Sequence, residues 1–295
     1  MRRIVLALAL AVGVTLTGCS GSGPEPPGTA ETGGPTSAAP TGSTTAAGAD
    51  RQWAQDAGSS TASTLDRVKR TKRLRICTTG DYRPFTYLDP KTRTWSGIDV
   101  SMGRDLARQL GAKPQFVQTT WDDLVSDVQS RCDVGMGGIS ITTERAQEVY
   151  LSDATLRDGK TPITLCSRVS DYRTLKQINR PSVDVITPVG GTNEDFAEQH
   201  FPQAHVIRWK DNNTIFDQIV AGRADVMVTD ASETKWVAHT DPKLCAVHPE
   251  RPFTFSEQGY LVHLGDDVMR EFVNQWLRIA QHDGTYASAE QPWFG

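Results

Sequence analysis

One pattern occurs twice in this chain, and it narrows the fold more than any single motif. Leu124-Val125-Ser126-Asp127-Val128-Gln129-Ser130-Arg131-Cys132-Asp133-Val134 is paralleled by Phe216-Asp217-Gln218-Ile219-Val220-Ala221-Gly222-Arg223-Ala224-Asp225-Val226. Each run reads as an amphipathic helix, a turn containing Arg-x-Asp-Val, and the start of an apolar strand. A helix-and-strand unit used twice predicts two α/β lobes of similar design, each pointing a strand end at a shared cleft.

The second copy runs on through Val226-Met227-Val228 to Thr229, Asp230 and, three residues later, Glu233. Ligands of open α/β sheets bind outside the carboxyl ends of the strands. With a helix beginning at Asp230, the two carboxylates lie one turn apart and face the same crevice. The plainer reading makes Asp230 an N-cap and Glu233 a first-turn acid that complements the helix dipole. Taken alone, the stretch favours capping.

Other stretches shift that balance. Val134-Gly135-Met136-Gly137-Gly138-Ile139-Ser140 is a strand that dissolves into glycines, which lets a ligand or a second backbone approach closely. Thr142 or Thr143 then starts a helix with Arg145 in its first turn. Free amides and a guanidinium together suit a carboxylate. The run from Val183 through Pro188-Val189-Gly190-Gly191-Thr192-Asn193-Glu194 repeats strand, glycines and helix start, a second anion cradle. Gly135-x-Gly137 is not a dinucleotide fingerprint, because the third glycine and the following acid do not fit. After the first strand, Leu74 to Thr78, Gly80 and Pro84 shape a loop whose Tyr82 and Phe85 either line a pocket or pack within a lobe.

The ends bound the rest. Arg2-Arg3, the apolar run Ile4 to Val14 and Leu16-Thr17-Gly18-Cys19 read as an export signal with a lipobox, so Cys19 is the expected lipidation site. Residues 20–62, rich in Gly, Ser, Thr and Pro, cannot bury enough surface to offset ordering and read as a tether. The remainder divides into lobe 1 (63–166 and 257–295) and lobe 2 (167–256). Four cysteines remain, allowing three pairings. Export makes bridges plausible, and Cys166 with Cys245, both at ends of apolar runs, is the favoured pair. Cys77 and Cys132 flank first-lobe strands, and their pairing stays open. The net charge of -4 advertises no face for nucleic acid. The six histidines lack metal spacing, and no motif demands a cofactor.

Several runs resemble one known family. Thr78-Thr79-Gly80-Asp81-Tyr82-x-Pro84-Phe85, Leu156-Arg157-Asp158-Gly159-Lys160-Thr161-Pro162-Ile163, Gly190-Gly191-Thr192-Asn193-Glu194, Thr229-Asp230-Ala231-x-Glu233 and Leu244-Cys245-Ala246-Val247-His248-Pro249 are similar to the cyclohexadienyl dehydratases. These enzymes share the type II periplasmic-binding-protein fold of the family 3 solute-binding proteins, two α/β lobes hinged around a cleft. The resemblance covers about Leu74 to Trp276. It implies loss of water and carbon dioxide from prephenate or arogenate, without a cofactor. It assigns the proton donor to Glu233 and carboxylate binding to Arg145 with Ser140, beside Gly138. Lys160 and the Gly191 and Thr192 amides become further anion partners, Tyr82 and Trp121 walls for the ring, and Asp230 a partner of the arogenate amine or of Glu233.

The chemistry fits these residue types. The departing hydroxyl needs one acid that stays protonated near neutral pH, which burial and neighbouring carboxylates achieve. Pro188-Val189 stands where the dehydratases carry Asn-Pro, a departure that bears on efficiency or substrate choice. A lipid tether also suits a binding protein that hands an amino acid or organic anion to an ABC permease. Such a binder gains little from a buried acid facing an anionic ligand, so Glu233 discriminates between the two readings.

Overall fold

The computed structural model describes residues 63–294. The export signal, Cys19 and the tether lie outside the described residues.

The chain enters through α1 (Thr64–Thr71), whose N-cap Ser63 accepts the Asp66 N–H, and passes into β1 (Arg73–Thr78). A small antiparallel sheet follows: β2 (Asp81–Tyr82), β3 (Thr86–Leu88) and β4 (Trp95–Ser96). Then come α2 (Ile98–Gln109), β5 (Lys113–Gln118), α3 (Leu124–Arg131), β6 (Val134–Ser140), α4 (Thr143–Glu148), β7 (Val149–Leu151) and β8 (Leu156–Asp158). The second lobe holds β9 (Lys160–Leu165), α5 (Leu175–Ile178), β10 (Asp184–Pro188), α6 (Gly191–His200), β11 (His205–Trp209), α7 (Ile215–Val220), β12 (Val226–Asp230), α8 (Ala231–Thr240) and β13 (Leu244–Ala246). The chain returns through β14 (Ser256–His263), α9 (Asp267–His282) and α10 (Thr285–Phe294).

The two main sheets share one design. Lobe 1 has the order β5-β1-β6-β14-β7, and lobe 2 the order β11-β10-β12-β9-β13. In each, the first three strands are parallel and the fourth runs against them. The sequence repeat has a physical role here. Asp133 exchanges bonds with the neighbouring strand: its N–H donates to the Arg75 carbonyl at 2.8 Å, and its Oδ2 accepts the Arg75 N–H at 2.8 Å. Asp225 does the same with Asp184, at 2.8 and 2.9 Å. Each aspartate also takes an arginine, Arg75 in lobe 1 and Arg168 in lobe 2. The Asp of Arg-x-Asp-Val therefore pins strand register in both lobes.

The lobe boundary needs correction. Lys160–Leu165 pairs with β12 and β13, so these residues belong to the second sheet and the chain crosses at Gly159, not after Cys166. The strand is buried along nearly its whole length, and such a run gives no alternation from which to tell the lobe it joins. Side chains alternate on β12: Val226 and Val228 pack with Val185, Phe196 and Phe201, while Met227 faces Ile163, Ile186 and Ile219. Cys166 is bridged to Cys245, joining the end of β9 to β13, and Cys77 is bridged to Cys132, with Cα separations of 4.8 and 5.7 Å.

Candidate functional site

β1, β6, β10 and β12 all end at the interlobe cleft, where loops and helix starts take over. At the end of β12, Asp230 occupies the N-cap position of α8, but its side chain makes no capping bond. Its Oδ2 accepts the Tyr82 hydroxyl at 2.5 Å, and its Oδ1 accepts Lys160 Nζ at 2.8 Å. The first of these bonds joins lobe 1 to lobe 2. Capping is thus not what this carboxylate does.

Lys160, 5% exposed, is the hub of the lobe 2 side. Besides Asp230, its ammonium donates to Thr192 Oγ1 at 3.0 Å and Asn193 Oδ1 at 2.5 Å. Asn193 Nδ2 donates to Thr229 Oγ1 at 2.9 Å, and Thr229 Oγ1 donates to Glu233 Oε2 at 2.6 Å. A hydrogen-bonded chain therefore runs from the cleft wall to Glu233. Glu233 is 2% exposed. Burial is the main reason its carboxyl is pushed up to about 8; Asp230 and Asp81 add to the rise, while the Thr229 hydroxyl and Lys160 oppose it. It is a neutral acid at neutral pH.

On the lobe 1 side, Gly137 and Gly138 at the end of β6 both have positive φ, +146° and +67°. A Cβ at Gly138 would sit 2.6 Å from the Phe85 ring and 2.7 Å from Tyr82, so only glycine fits beneath the aromatic pair. The Gly138 N–H donates to Asp99 Oδ2 at 2.7 Å, and the Tyr260 hydroxyl donates to Asp99 Oδ1 at 2.8 Å. Thr142 caps α4, and Arg145 Nη1 donates to the Ser140 carbonyl at 2.7 Å. Burial draws the Arg145 guanidinium below its ordinary range, against the pull of Asp195 and Asp230. Ser140 Oγ lies 3.4 Å from Thr192 Oγ1 across the cleft.

The space left between these groups is about 20 Å³, lined by Tyr82, Trp121, Gly138, Ser140, Pro188, Gly190, Gly191, Thr192, Asn193 and Asp230. That volume holds about one water, whereas a ring-sized ligand needs about 300 Å³ or more, so the lobes must part to admit one. Trp121 stands edge-on to Tyr82, with ring centroids 5.3 Å apart, and also lines a larger outer cavity of about 830 Å³.

Of the residues singled out in the sequence, Tyr82, Trp121, Gly138, Ser140, Gly191, Thr192 and Asp230 line the closed cleft. Lys160 reaches it through Thr192 and Asp230, and Arg145 through Ser140. Glu233 does not line the remaining space; it stands behind it, linked through the Thr229 hydroxyl to Asn193, which does line it. Sequence reasoning missed Asn193 and Thr229 as members of the network, and Asp99 as the acceptor that holds Gly138. The position of Asn193 directly after Gly190-Gly191-Thr192 was the available signal. Pro188 faces the cleft and has no N–H to offer a ligand.

Among the described residues there is no cluster of His, Cys, Asp or Glu fit for a metal, and no helix is long and apolar enough to cross a membrane.

Residues 74–295 match the family model of the bacterial extracellular solute-binding proteins, family 3. The chain belongs to that family. Within it, the chain is 45% identical over 232 residues to the cyclohexadienyl dehydratase of Pseudomonas aeruginosa, covering 78% of this chain and 86% of the relative. It is 24% identical over 232 residues to an L-cystine-binding protein of Escherichia coli K12, again over 78% and 86% of the two chains. Among solved structures, it is similar to an ancestral amino acid-binding protein described as a precursor of cyclohexadienyl dehydratase. That match has 32% identity and a TM-score of 0.73, and covers 79% of this chain and all of the other. It is also similar to an ancestral cyclohexadienyl dehydratase, at 40% identity and a TM-score of 0.51, over 81% of this chain and 99% of the other.

Proposed function

We propose that this chain is a cyclohexadienyl dehydratase that works in the interlobe cleft on prephenate, arogenate or both. The observation that carries the reading is Glu233, a buried carboxyl kept protonated at neutral pH behind a cleft wall whose Asn193 and Asp230 are held by Lys160. That arrangement supports a proton donor in an enzyme; a binder of anions gains little from it. The 45% identity to a dehydratase over most of the chain supports the same activity.

The chemistry follows from the residues. Arg145 and the Ser140 segment receive one carboxylate, and Lys160 with the α6 terminus the other. Tyr82 and Trp121 flank the ring. Glu233 gives its proton to the ring hydroxyl, the carbon–oxygen bond breaks and water leaves. The bond to the ring carboxylate breaks the other way, its electron pair moving into the ring to complete the aromatic system as carbon dioxide is released. Prephenate becomes phenylpyruvate, and arogenate becomes phenylalanine. Glu233 is left as a carboxylate and regains its proton from solvent. Thr229 and Asn193 link it to the cleft wall, and Asp230 either takes the arogenate amine or keeps Glu233 neutral by its own charge.

The test is Glu233→Gln. It should lower kcat by a factor on the order of 10² or more, while phenylpyruvate still binds, because the amide keeps the shape. Arg145→Ala should chiefly weaken substrate binding. The dehydratase assignment fails if the wild-type protein makes neither phenylpyruvate nor phenylalanine. In that case a lipid-anchored solute-binding protein serving an ABC permease is the alternative, supported by the likeness to an ancestral amino acid-binding protein. Under either reading, Leu16-Thr17-Gly18-Cys19 supports export with lipid on Cys19 and residues 20–62 as the tether.

A further inference from the structure

Helix α8 carries Glu233, yet the residue at its N-cap directs its carboxylate elsewhere. The first-turn N–H groups of a buried helix still need acceptors. Here they come from the segment where the chain crosses between lobes. The Ala231 N–H donates to the Gly159 carbonyl at 2.9 Å. The Ser232 N–H donates to Asp158 Oδ1 at 3.2 Å, and Ser232 Oγ donates to Asp158 Oδ2 at 2.5 Å.

Asp158 is itself held on the other side. Its Oδ1 also accepts the Gly159 N–H at 2.9 Å, and its Oδ2 accepts Gln258 Nε2 of β14 at 3.0 Å. Each oxygen thus takes two donors, and the side chain, in a residue 8% exposed, joins a lobe 1 strand to the start of a lobe 2 helix. Gly159 is equally fixed: a Cβ there would lie 1.9 Å from the Thr254 carbonyl oxygen. The Lys160 N–H donates to Thr254 Oγ1 at 2.9 Å, which seats the hub lysine on the same segment.

We infer that Asp158 is a positioning residue: it caps α8 from the interlobe crossing, orients Glu233, and leaves Asp230 free to hold Tyr82 and Lys160. The inference rests on Glu233 being the proton donor. Its physical logic is competition. Aspartate at an N-cap ordinarily turns back to the N2 or N3 amide. Asp158 occupies the Ser232 amide, the N2 position, and removes that one of the two options from Asp230.

The experiment uses the full chain with Asp158→Asn and Ser232→Ala, each alone and combined with Glu233→Gln. Asp158→Asn is expected to lower kcat on prephenate by roughly ten- to a hundredfold, as misplacement of a reacting group does, with KM changed by no more than about threefold. In the Glu233→Gln background the same change should lower residual turnover by less than about twofold, because no donor is left to orient. Amide hydrogen exchange at Ser232 should accelerate in both backgrounds. Equal fold losses in the two backgrounds, a rise in KM alone, or unchanged exchange at Ser232 would overturn the positioning role. Should Asp158→Asn not fold, Ser232→Ala carries the test: a severalfold loss of kcat with the same background dependence supports the inference, and wild-type kcat refutes it. Wild-type turnover by Glu233→Gln would instead overturn the donor assignment on which the inference stands. That failure is recognisable because exchange at Ser232 still responds to Asp158→Asn.

Discussion

Replacing Glu233 by glutamine is expected to stabilise the protein in alkaline solution while it removes activity. The carboxyl is raised from its ordinary 4.5 to about 8, chiefly by burial. A folded-state value above the unfolded one means that the folded protein holds an extra proton throughout that interval. Stability due to the neutral acid is therefore complete below about pH 4.5, declines as pH rises, and levels off above about 8. From 4.5 to about 8, at about 1.4 kcal/mol per pH unit, the decline amounts to about 5 kcal/mol. The Gln variant has no such proton to lose. Asp158 and Asp99, each pushed up to about 6 by burial, slope both curves in the same direction and cancel in the difference. A chain of this size changes its Tm by about 2–4 °C per kcal/mol, so the variant should gain on the order of 10 °C over wild type between about pH 5 and about pH 9. Thermal unfolding followed by circular dichroism at stepped pH measures it. Parallel Tm curves for the two proteins would show that the acid is not held neutral by the fold.

Gly138→Ala should destabilise the protein by about 1–3 kcal/mol and raise KM, since the methyl would meet Phe85 and Tyr82 at a positive φ; an unchanged melting curve with unchanged KM would count against the close-approach role. Converting Cys166 and Cys245 to serine should cost about 2–4 kcal/mol of stability, read by denaturant titration, and a negligible change would mean the bridge is incidental. Cys19→Ala should release the exported protein from the membrane fraction; retention in high salt would argue against lipid anchoring.

The two-lobe design was legible because the repeat combines a helical period with a polar turn, and that turn turned out to pin register through Asp133 and Asp225. The crossing point was less so. Lys160–Leu165 is buried along nearly all of its length, and uniform burial hides which sheet a strand joins. At the site, Tyr82, Lys160, Thr192 and Asp230 stood out one segment at a time, and the structure brings Tyr82 and Lys160 onto Asp230 and Thr192 onto Lys160. What the sequence hid was the division of labour between acids. A helix cap is sought beside the helix, whereas α8 is capped by a residue 74 positions before Ser232. Asn193 was obscured for a related reason: a first-turn Asn looks like a helix-start preference until a lysine from another strand is seen against it.

The strand order also dictates a sequence of events in time. β14 lies between β6 and β7 in the lobe 1 sheet, yet it is the last strand to be made. Lobe 2 owns all its strands once Ala246 has emerged. During synthesis or export, the inserted lobe can therefore close while the lobe that surrounds it is incomplete, with β6 as a bare edge and β7 unpaired. Bare edges pair with whatever strand arrives, including one from another chain. The nascent protein is thus most exposed to misassembly in its first half and latest in its schedule, and a chaperone that shields an open sheet would serve it best just before residue 256.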